Sequence, residues 1–494
     1  MNEAADKLEP VSKTRDADRP RHGFLSAIGL VAVFAVMATL SFAPYNQFYL
    51  GWLALTPLML AAAMLRSPVK RFAAGYVGGL LYFAGSFWSL HAIGIFAMLG
   101  LLIYLALYPA VFAASCGALS KRATTGVRTL GVVGMAAVTW AGLEYLRGIA
   151  FTGLPMVVLG QSQTPLLRGI QIADATSIYG VSFWCALLSA ATWAIFNHRR
   201  SIAMALPSVS VAFAVVAGVF AYGSYRIAET VPLPGPTVLL LQPNEPLINT
   251  ELPDEDADLN WHFDRTISAM DASPDDIDLV IWGESVVPFL NRDFLLVPLR
   301  QDVVDRIQFV MSTLSALSRS GPDFLVGGGY ARWQRNSAGE TRLFDRRNSM
   351  YFFTEGQLTN LRYDKQHLVP FGEFVPFRTS GPPMKWLHDF FQLFNPFPED
   401  FFLVRGEEQT VFPVETEQGT VRVVAPICFE DLFAYRTREL VFENGERRAD
   451  LIANATNDGW FRGPHMDQHL QLAVFRCIET RTPMARAVNT GVSA

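Results

Sequence analysis

Val423-Val424-Ala425-Pro426-Ile427-Cys428-Phe429-Glu430-Asp431 is the stretch on which the fold turns. A β-branched apolar run ends on a cysteine and the residues behind it open a helix, so the run is a buried strand with Cys428 at its exit. A cysteine there gains thiolate character from the helix N-terminus and from any nearby lysine. Buried cysteines are otherwise mostly inert core, and one strand alone does not choose between the two. The four cysteines, Cys116, Cys185, Cys428 and Cys477, are too few and too scattered for a disulfide framework.

Working outward, short apolar runs at 237–242, 278–282, 324–328, 349–354, 422–427 and 451–455 predict strands, and 255–271, 302–319, 432–443 and 465–481 predict helices. Alternation of this kind makes an α/β domain with helices covering a sheet, where chemistry sits beyond the carboxyl ends of the strands. Two more strand exits carry candidate groups. Ile281-Trp282-Gly283-Glu284-Ser285 places an acid directly after a strand, in a poorly solvated mouth that suits a carboxylate to general-base work. Leu361-Arg362-Tyr363-Asp364-Lys365-Gln366-His367-Leu368-Val369-Pro370-Phe371-Gly372-Glu373 places a lysine among Pro, Gly and aromatics, where an ammonium is suited to holding an oxyanion. Gly327-Gly328-Gly329 lacks the spacing of a nucleotide loop and reads as a strand-end bend. His465 and His469 mimic a metal pair on a helix but lack the HExxH arrangement, and the acidic run from Asp254 to Asp258 lacks calcium-loop spacing, so no metal is expected.

The charges divide the chain. Of 40 Lys and Arg and 45 Asp and Glu, residues 24–224 hold only ten basic and two acidic ones, whereas residues 225–494 hold 25 and 38. No soluble core absorbs so long an uncharged stretch, and the acidic second half repels nucleic acid. Seven apolar segments, about 24–42, 48–65, 72–92, 96–118, 129–147, 177–196 and 203–224, are each long enough to cross roughly 30 Å of hydrocarbon. Loops 1–23, 66–71, 119–128 and 197–202 carry the Lys and Arg, while 43–47 and 93–95 have none and 148–176 has Arg168 alone. The basic loops stay cytoplasmic, so an odd number of spans delivers residues 225–494 to the outer side, the periplasm of a Gram-negative cell. Three regions result: a cytoplasmic tail at 1–23, a transmembrane domain of about seven helices at 24–224, and an outer α/β domain at 225–494. Glu144 and Arg147, one turn apart near the end of the fifth span, read as a mutually neutralising pair, with a lipid-headgroup contact as the alternative.

Glu284, Lys365 and Cys428, in that order and each at a strand exit, resemble the catalytic set of the nitrilase superfamily, which implies an αββα sandwich. More narrowly, the chain is similar throughout to the apolipoprotein N-acyltransferase family of bacterial inner-membrane enzymes. The likeness runs through Ser41-Phe42-Ala43-Pro44-Tyr45, Glu144-Tyr145-Leu146-Arg147-Gly148, Leu241-Gln242-Pro243-Asn244, the three segments above, Asn454-Ala455-Thr456-Asn457-Asp458-Gly459-Trp460-Phe461 and Asn489-Thr490-Gly491. Lys365 to Pro376 is its most specific part. Gly283, Met156 and Phe429 stand where the family usually has Pro, Trp and Tyr, and none of these changes removes a reacting group.

The resemblance implies a two-step acyl transfer without a cofactor. Glu284 takes the thiol proton, Cys428 attacks the ester of a phospholipid acyl donor, and Lys365 holds the oxyanion. The amine of a diacylglyceryl-cysteine apolipoprotein acceptor then attacks the thioester. Glu373 orients Lys365, Glu430 supports the nucleophile, and Trp282, Phe371, Phe429 and Trp460 are candidate substrate contacts. A monomer is expected. The aromatic segment 377–402 predicts either an arm that dips into the membrane interface or lines an acyl groove, or rings packed beneath a loop. In the resembling family, the stretch after Asn489-Thr490-Gly491 leads to further strands and a final span, so the 494 residues are expected to lack these. Two other functions compete: a membrane-anchored amidase using the same three residues, and a transporter or receptor, which would need more ionisable groups in its spans than Glu144.

Overall fold

Helices form wherever the apolar half predicts them. The structure, a computed structural model, describes residues 21–92, 94–245, 255–291, 300–319, 321–335, 341–377, 384–393, 402–460 and 463–494. Most of the tail expected at 1–23 lies outside the described residues. The first half comprises α1 (Arg21–Leu40), α2 (Leu55–Met64), α3 (Pro68–Ser86), α4 (Ile95–Leu105), α5 (Leu107–Leu119), α6 (Gly126–Ile149), the short α7 (Leu167–Ile170), α8 (Ala173–Asn197) and α9 (Leu206–Glu229). The span expected at 96–118 breaks into α4 and α5 at Ala106. Among the described residues, the stretches Ile95–Arg122, Gly126–Thr152, Ala173–Asn197 and Leu206–Glu229 are long and apolar enough to cross a membrane.

Glu144 and Arg147 are buried on α6, and each secures irregular chain. Glu144 Oε1 accepts from Trp140 Nε1 at 2.8 Å and from the Leu159 amide at 2.7 Å, while Arg147 Nη2 donates to the Val157 carbonyl at 2.9 Å. The two opposite charges act on each other across one turn, as expected, and both also serve the backbone of 150–163, whose polar groups need protein partners once they leave a regular helix.

The second half alternates as read. It runs β1 (Val238–Leu240), α10 (Glu255–Ala272), β2 (Leu279–Ile281), α11 (Gln301–Arg319), β3 (Asp323–Arg335), β4 (Thr341–Thr354), β5 (Gln357–Asp364), α12 (Lys385–Gln392), β6 (Phe412–Thr416), β7 (Gly419–Val424), α13 (Ala434–Val441), β8 (Phe442–Glu443), β9 (Glu446–Arg447), β10 (Leu451–Thr456), α14 (Pro464–Thr480) and β11 (Met484–Val488). One sheet has the order β1-β2-β3-β4-β5 and the other β11-β10-β7-β6. The sheets face each other through Leu279, Ile281, Leu325 and Phe352 on one side and Phe412, Val423, Ile452 and Ala485 on the other. Alternate residues of the first sheet, Val280, Phe324 and Val326, face α10 and α11 through Phe263, Ile307, Val310 and Leu314. Leu440 on α13 and Leu472 and Phe475 on α14 are buried with the second sheet, which completes an αββα sandwich. The period of two along each strand sends one set of side chains between the sheets and the other under the helices.

Helix α14 also fastens the sandwich to the membrane half. Gln468 donates to the Ala43 carbonyl and Gln471 to Asn46 Oδ1, both at 3.1 Å. His465 meets Ser89, Gln161 donates to the Gln468 carbonyl, and Glu479 accepts from Ser177 Oγ at 2.7 Å and the Ile178 amide at 2.9 Å. Arg481, just beyond the helix, pairs with Asp174. These partners lie in or beside the loops that are poor in Lys and Arg.

Candidate active site

Three turns bring the candidate residues together at the strand exits. Cys428 itself has φ +50°, and Ser285 and Phe371 have φ +60° and +62°. Each is a left-handed conformation that disfavours a side chain and costs of order 1–3 kcal/mol, so the surrounding packing must hold it. The glycines make room. A Cβ on Gly327 would fall 2.2 Å from the Gly283 carbonyl, and one on Gly406 would fall 2.1 Å from the Asp364 carbonyl. Gly327 to Gly329 therefore lie inside β3 as the surface against which the Glu284 turn packs, rather than forming the expected strand-end bend.

Lys365, 1% exposed, lies between two carboxylates: its Nζ is 3.1 Å from Glu284 Oε1 and 2.8 Å from Glu373 Oε1. The second oxygen of Glu373 takes the Val369 amide at 2.8 Å, so Glu373 closes the loop it sits on and aims the lysine. Glu284 also accepts Asn348 Nδ2 at 2.7 Å and the Asn457 amide at 3.0 Å. Burial opposes the charge on Lys365, but Glu284 and Glu373 outweigh it and hold the ammonium well above the usual lysine range. Cys428 goes the same way for the opposite reason. Burial first, and then the charge of Glu284, push its thiol well up, while Lys365 pulls only partly back. Burial is the largest of these influences, so the thiol needs a neighbouring base such as Glu284 to give up its proton.

Glu430 has a different task. Its carboxylate accepts Tyr363 Oη at 2.9 Å, the Gln366 amide at 2.8 Å, the His367 amide at 2.9 Å and the Ile427 amide at 2.8 Å. It ties the lysine turn to the cysteine turn. Behind Cys428, His469 bonds Asp458 through Nδ1 at 2.7 Å and Asp431 through Nε2 at 2.6 Å, and Arg486 meets Asp458 at 3.1 Å. Burial alone would lower the His469 pKa, yet the two aspartates push it up to about 9. The histidines set aside as a metal mimic thus have other partners: His469 this ionic cluster, His465 the ring of Phe87.

Glu284, Lys365, Glu373, Cys428, Phe371 and Phe429 all line one cavity of about 2340 Å³, whose far wall is Phe96, Leu99, Ile103 and Tyr104 of α4 and Phe151 of the loop after α6. Trp282 is elsewhere. It lies on the helix-facing side of its strand, with its Nε1 donating to Thr266 Oγ1 at 3.2 Å and its ring beside His262 and Phe263, because it is one residue out of phase with Ile281. The side chain of Trp460 lies outside the described residues. In the aromatic segment, Phe391 packs on Phe371 and Phe377, while Trp386 of α12 and Leu393 at its end are exposed. Phe394, Phe397 and Phe401 are outside the described residues.

Known proteins share this organisation. Residues 34–191 match the family described as apolipoprotein N-acyltransferase N-terminal domain, and residues 248–494 match the carbon-nitrogen hydrolase family. The apolipoprotein N-acyltransferase of Geobacter metallireducens is 30% identical over 96% of this chain and 85% of its own length. The chain belongs to the apolipoprotein N-acyltransferase family. The Ralstonia nicotianae family member is 31% identical over 95% of this chain and 83% of its own. A solved mutant of a Nesterenkonia amidase from the nitrilase superfamily matches 52% of this chain and 78% of its own, with 16% identity and a TM-score of 0.32. What reading the family member's sequence missed are Asn348, Tyr363, Asn457, Asp458 and Arg486 as partners of the candidate residues. Their types carry no signal until strands distant in sequence are set side by side.

Proposed function

We propose that Cys428 carries an acyl chain from a phospholipid as a thioester and delivers it to the N-terminal amine of a diacylglyceryl-cysteine lipoprotein. Residues 225–494 then work as a monomer on the periplasmic face of the inner membrane, above the transmembrane domain at 24–224. The observation that carries this reading is the single cavity in which Glu284, Lys365 and Cys428 face apolar side chains of α4, as substrates with long acyl chains and polar heads require.

In the first step Glu284 takes the proton of Cys428, so a negative charge moves from oxygen to sulfur beside a fixed ammonium and no net charge is created. Sulfur attacks the ester carbonyl. Lys365, already held by two carboxylates, turns its remaining N–H toward the oxyanion without reorganising, which is worth roughly 10²–10³ in rate for one such donor. The lysophospholipid alkoxide leaves with the proton from Glu284. In the second step the neutral amine attacks the thioester, Glu284 takes one amine proton and returns it to sulfur, and the amide forms.

The test is intact-mass analysis of protein from membranes. An acyl adduct on Cys428 that neutral hydroxylamine removes is expected, and protein incubated with phospholipid vesicles that carries no such adduct would end the thioester reading. Sidedness is tested on spheroplasts: external probes reach residues near 255 and leave those near 123 and 199 untouched. Cleavage at 121–128 from outside would reverse it.

A further inference from the structure

Beside Glu284 lies a polar atom that neither half-reaction above uses. Asn348 on β4 lines the cavity and is only 7% exposed. Its Nδ2 donates to Glu284 Oε1 at 2.7 Å, and its backbone carbonyl accepts the Lys365 amide at 2.8 Å. An ionised carboxylate only accepts hydrogen bonds, so the amide has one possible orientation, with nitrogen toward Glu284 and oxygen away from it. Among the described residues, Asn348 Oδ1 is buried without a hydrogen-bond partner. Native structures leave few such acceptors, and each one calls for a donor.

We propose that Asn348 Oδ1 receives the second N–H of the incoming primary amine. The proposal rests on the thioester reading and adds how that site recognises its acceptor. A phospholipid ester brings no N–H to the reacting carbon, so the first step offers Oδ1 nothing of that kind. The amine brings two. As its lone pair forms the C–N bond, one proton goes to Glu284, the C–S bond breaks, and sulfur recovers that proton from Glu284. The other N–H stays on nitrogen throughout. It needs an acceptor of its own, and Asn348, whose Nδ2 is bonded to the carboxylate that took the first proton, carries one on its other amide atom. Asn348 thereby sets the roll of the amine about the forming bond.

A chemical double-mutant cycle tests this. Cys428 is loaded with acyl chain from phospholipid vesicles and chased with a diacylglyceryl-cysteine peptide bearing either a free or an N-methylated α-amine. N-methylation removes one N–H, so in the wild type it slows the chase by roughly tenfold beyond any steric cost. In Asn348→Ala and Asn348→Ser, the free amine reacts roughly tenfold more slowly than in the wild type, and the methylation penalty shrinks by about the same factor. Serine keeps a hydroxyl that can donate to Glu284, so it separates loss of the distal acceptor from loss of support for the base. Equal methylation penalties in wild type and variants would overturn the proposal and leave Asn348 as a partner of Glu284 alone. So would equal rates for both amines in the wild type, a result that needs no variant to fold. Failure of the wild type to load at all is the separate outcome in which the thioester reading itself falls.

Discussion

The membrane half and the α/β half bury charge to opposite ends. In the first, Glu144 and Arg147 serve the backbone of one irregular segment, and Arg71 does the same for the Leu65 carbonyl at 2.8 Å. In the second, charges gather into clusters, Glu373–Lys365–Glu284 and Asp431–His469–Asp458–Arg486, on either side of Cys428. The surfaces are inverted as well, with Phe96, Val127 and Phe213 exposed by 70%, 78% and 74% on the membrane helices. A buried ion that completes a backbone is structural. A buried cluster in which one ammonium meets two carboxylates is suited to moving a proton, and the candidate nucleophile Cys428 lines the same cavity.

Breaking the cluster at its nucleophile has the largest expected effect. Cys428→Ala abolishes adduct and amide formation while leaving the fold intact, since a methyl fits where a thiol did; transfer to a diacylglyceryl peptide at near the wild-type rate would refute the assignment. Lys365→Met leaves Glu284 and Glu373 facing each other without a cation. Acyl transfer is expected to fall by roughly a hundredfold or more, and unfolding to become easier by about 3–5 kcal/mol, read from denaturant titration of the detergent-solubilised protein. An unchanged midpoint would mean that the ion pairs contribute no net stability.

The second cluster sharpens the comparison through pH. The His469 pKa is raised from 6.5 to about 9, so its stabilisation is fully present below about 6.5 and is lost as pH rises through about 9. The melting temperature of the wild type is expected to decline across that window, and that of His469→Gln to decline less. Parallel curves would show that the imidazolium is not the group responsible. The smallest effect on acyl transfer belongs to the joint between the halves. Glu479→Ala removes the acceptor for Ser177 and the Ile178 amide and the counter-ion of buried Arg476, which is expected to cost about 3–5 kcal/mol of stability with acyl-enzyme formation on Cys428 preserved; loss of loading would show that the joint also sets the cavity.

Much of this was legible in one dimension. The helices at 255–271 and 302–319 and the strands ending at Trp282 and Cys428 follow from periodicity, and the membrane segments from charge depletion, because both signals are local. Strands β5, β6 and β11 escaped notice. Gln357–Asp364 is mostly exposed or half-buried and Phe412–Thr416 alternates buried with exposed positions, each at a sheet edge, so their apolar content is too thin to stand out. The task of Glu430 was hidden for another reason. Its carboxylate bonds amides at 366, 367 and 427, and backbone groups leave no mark in a sequence.

The sequence by itself determined the division into an apolar and a charged half, the α/β character of the latter, and the three candidate residues near strand exits, since each depends on a residue and its near neighbours. Only the tertiary structure decided which charges neutralise one another, which face Trp282 takes, and that burial and Glu284 together raise the Cys428 thiol. Those depend on distances between residues as far apart as Glu284, Lys365 and Cys428, and a Coulomb energy is set by separation in space and by burial, neither of which is written along the chain.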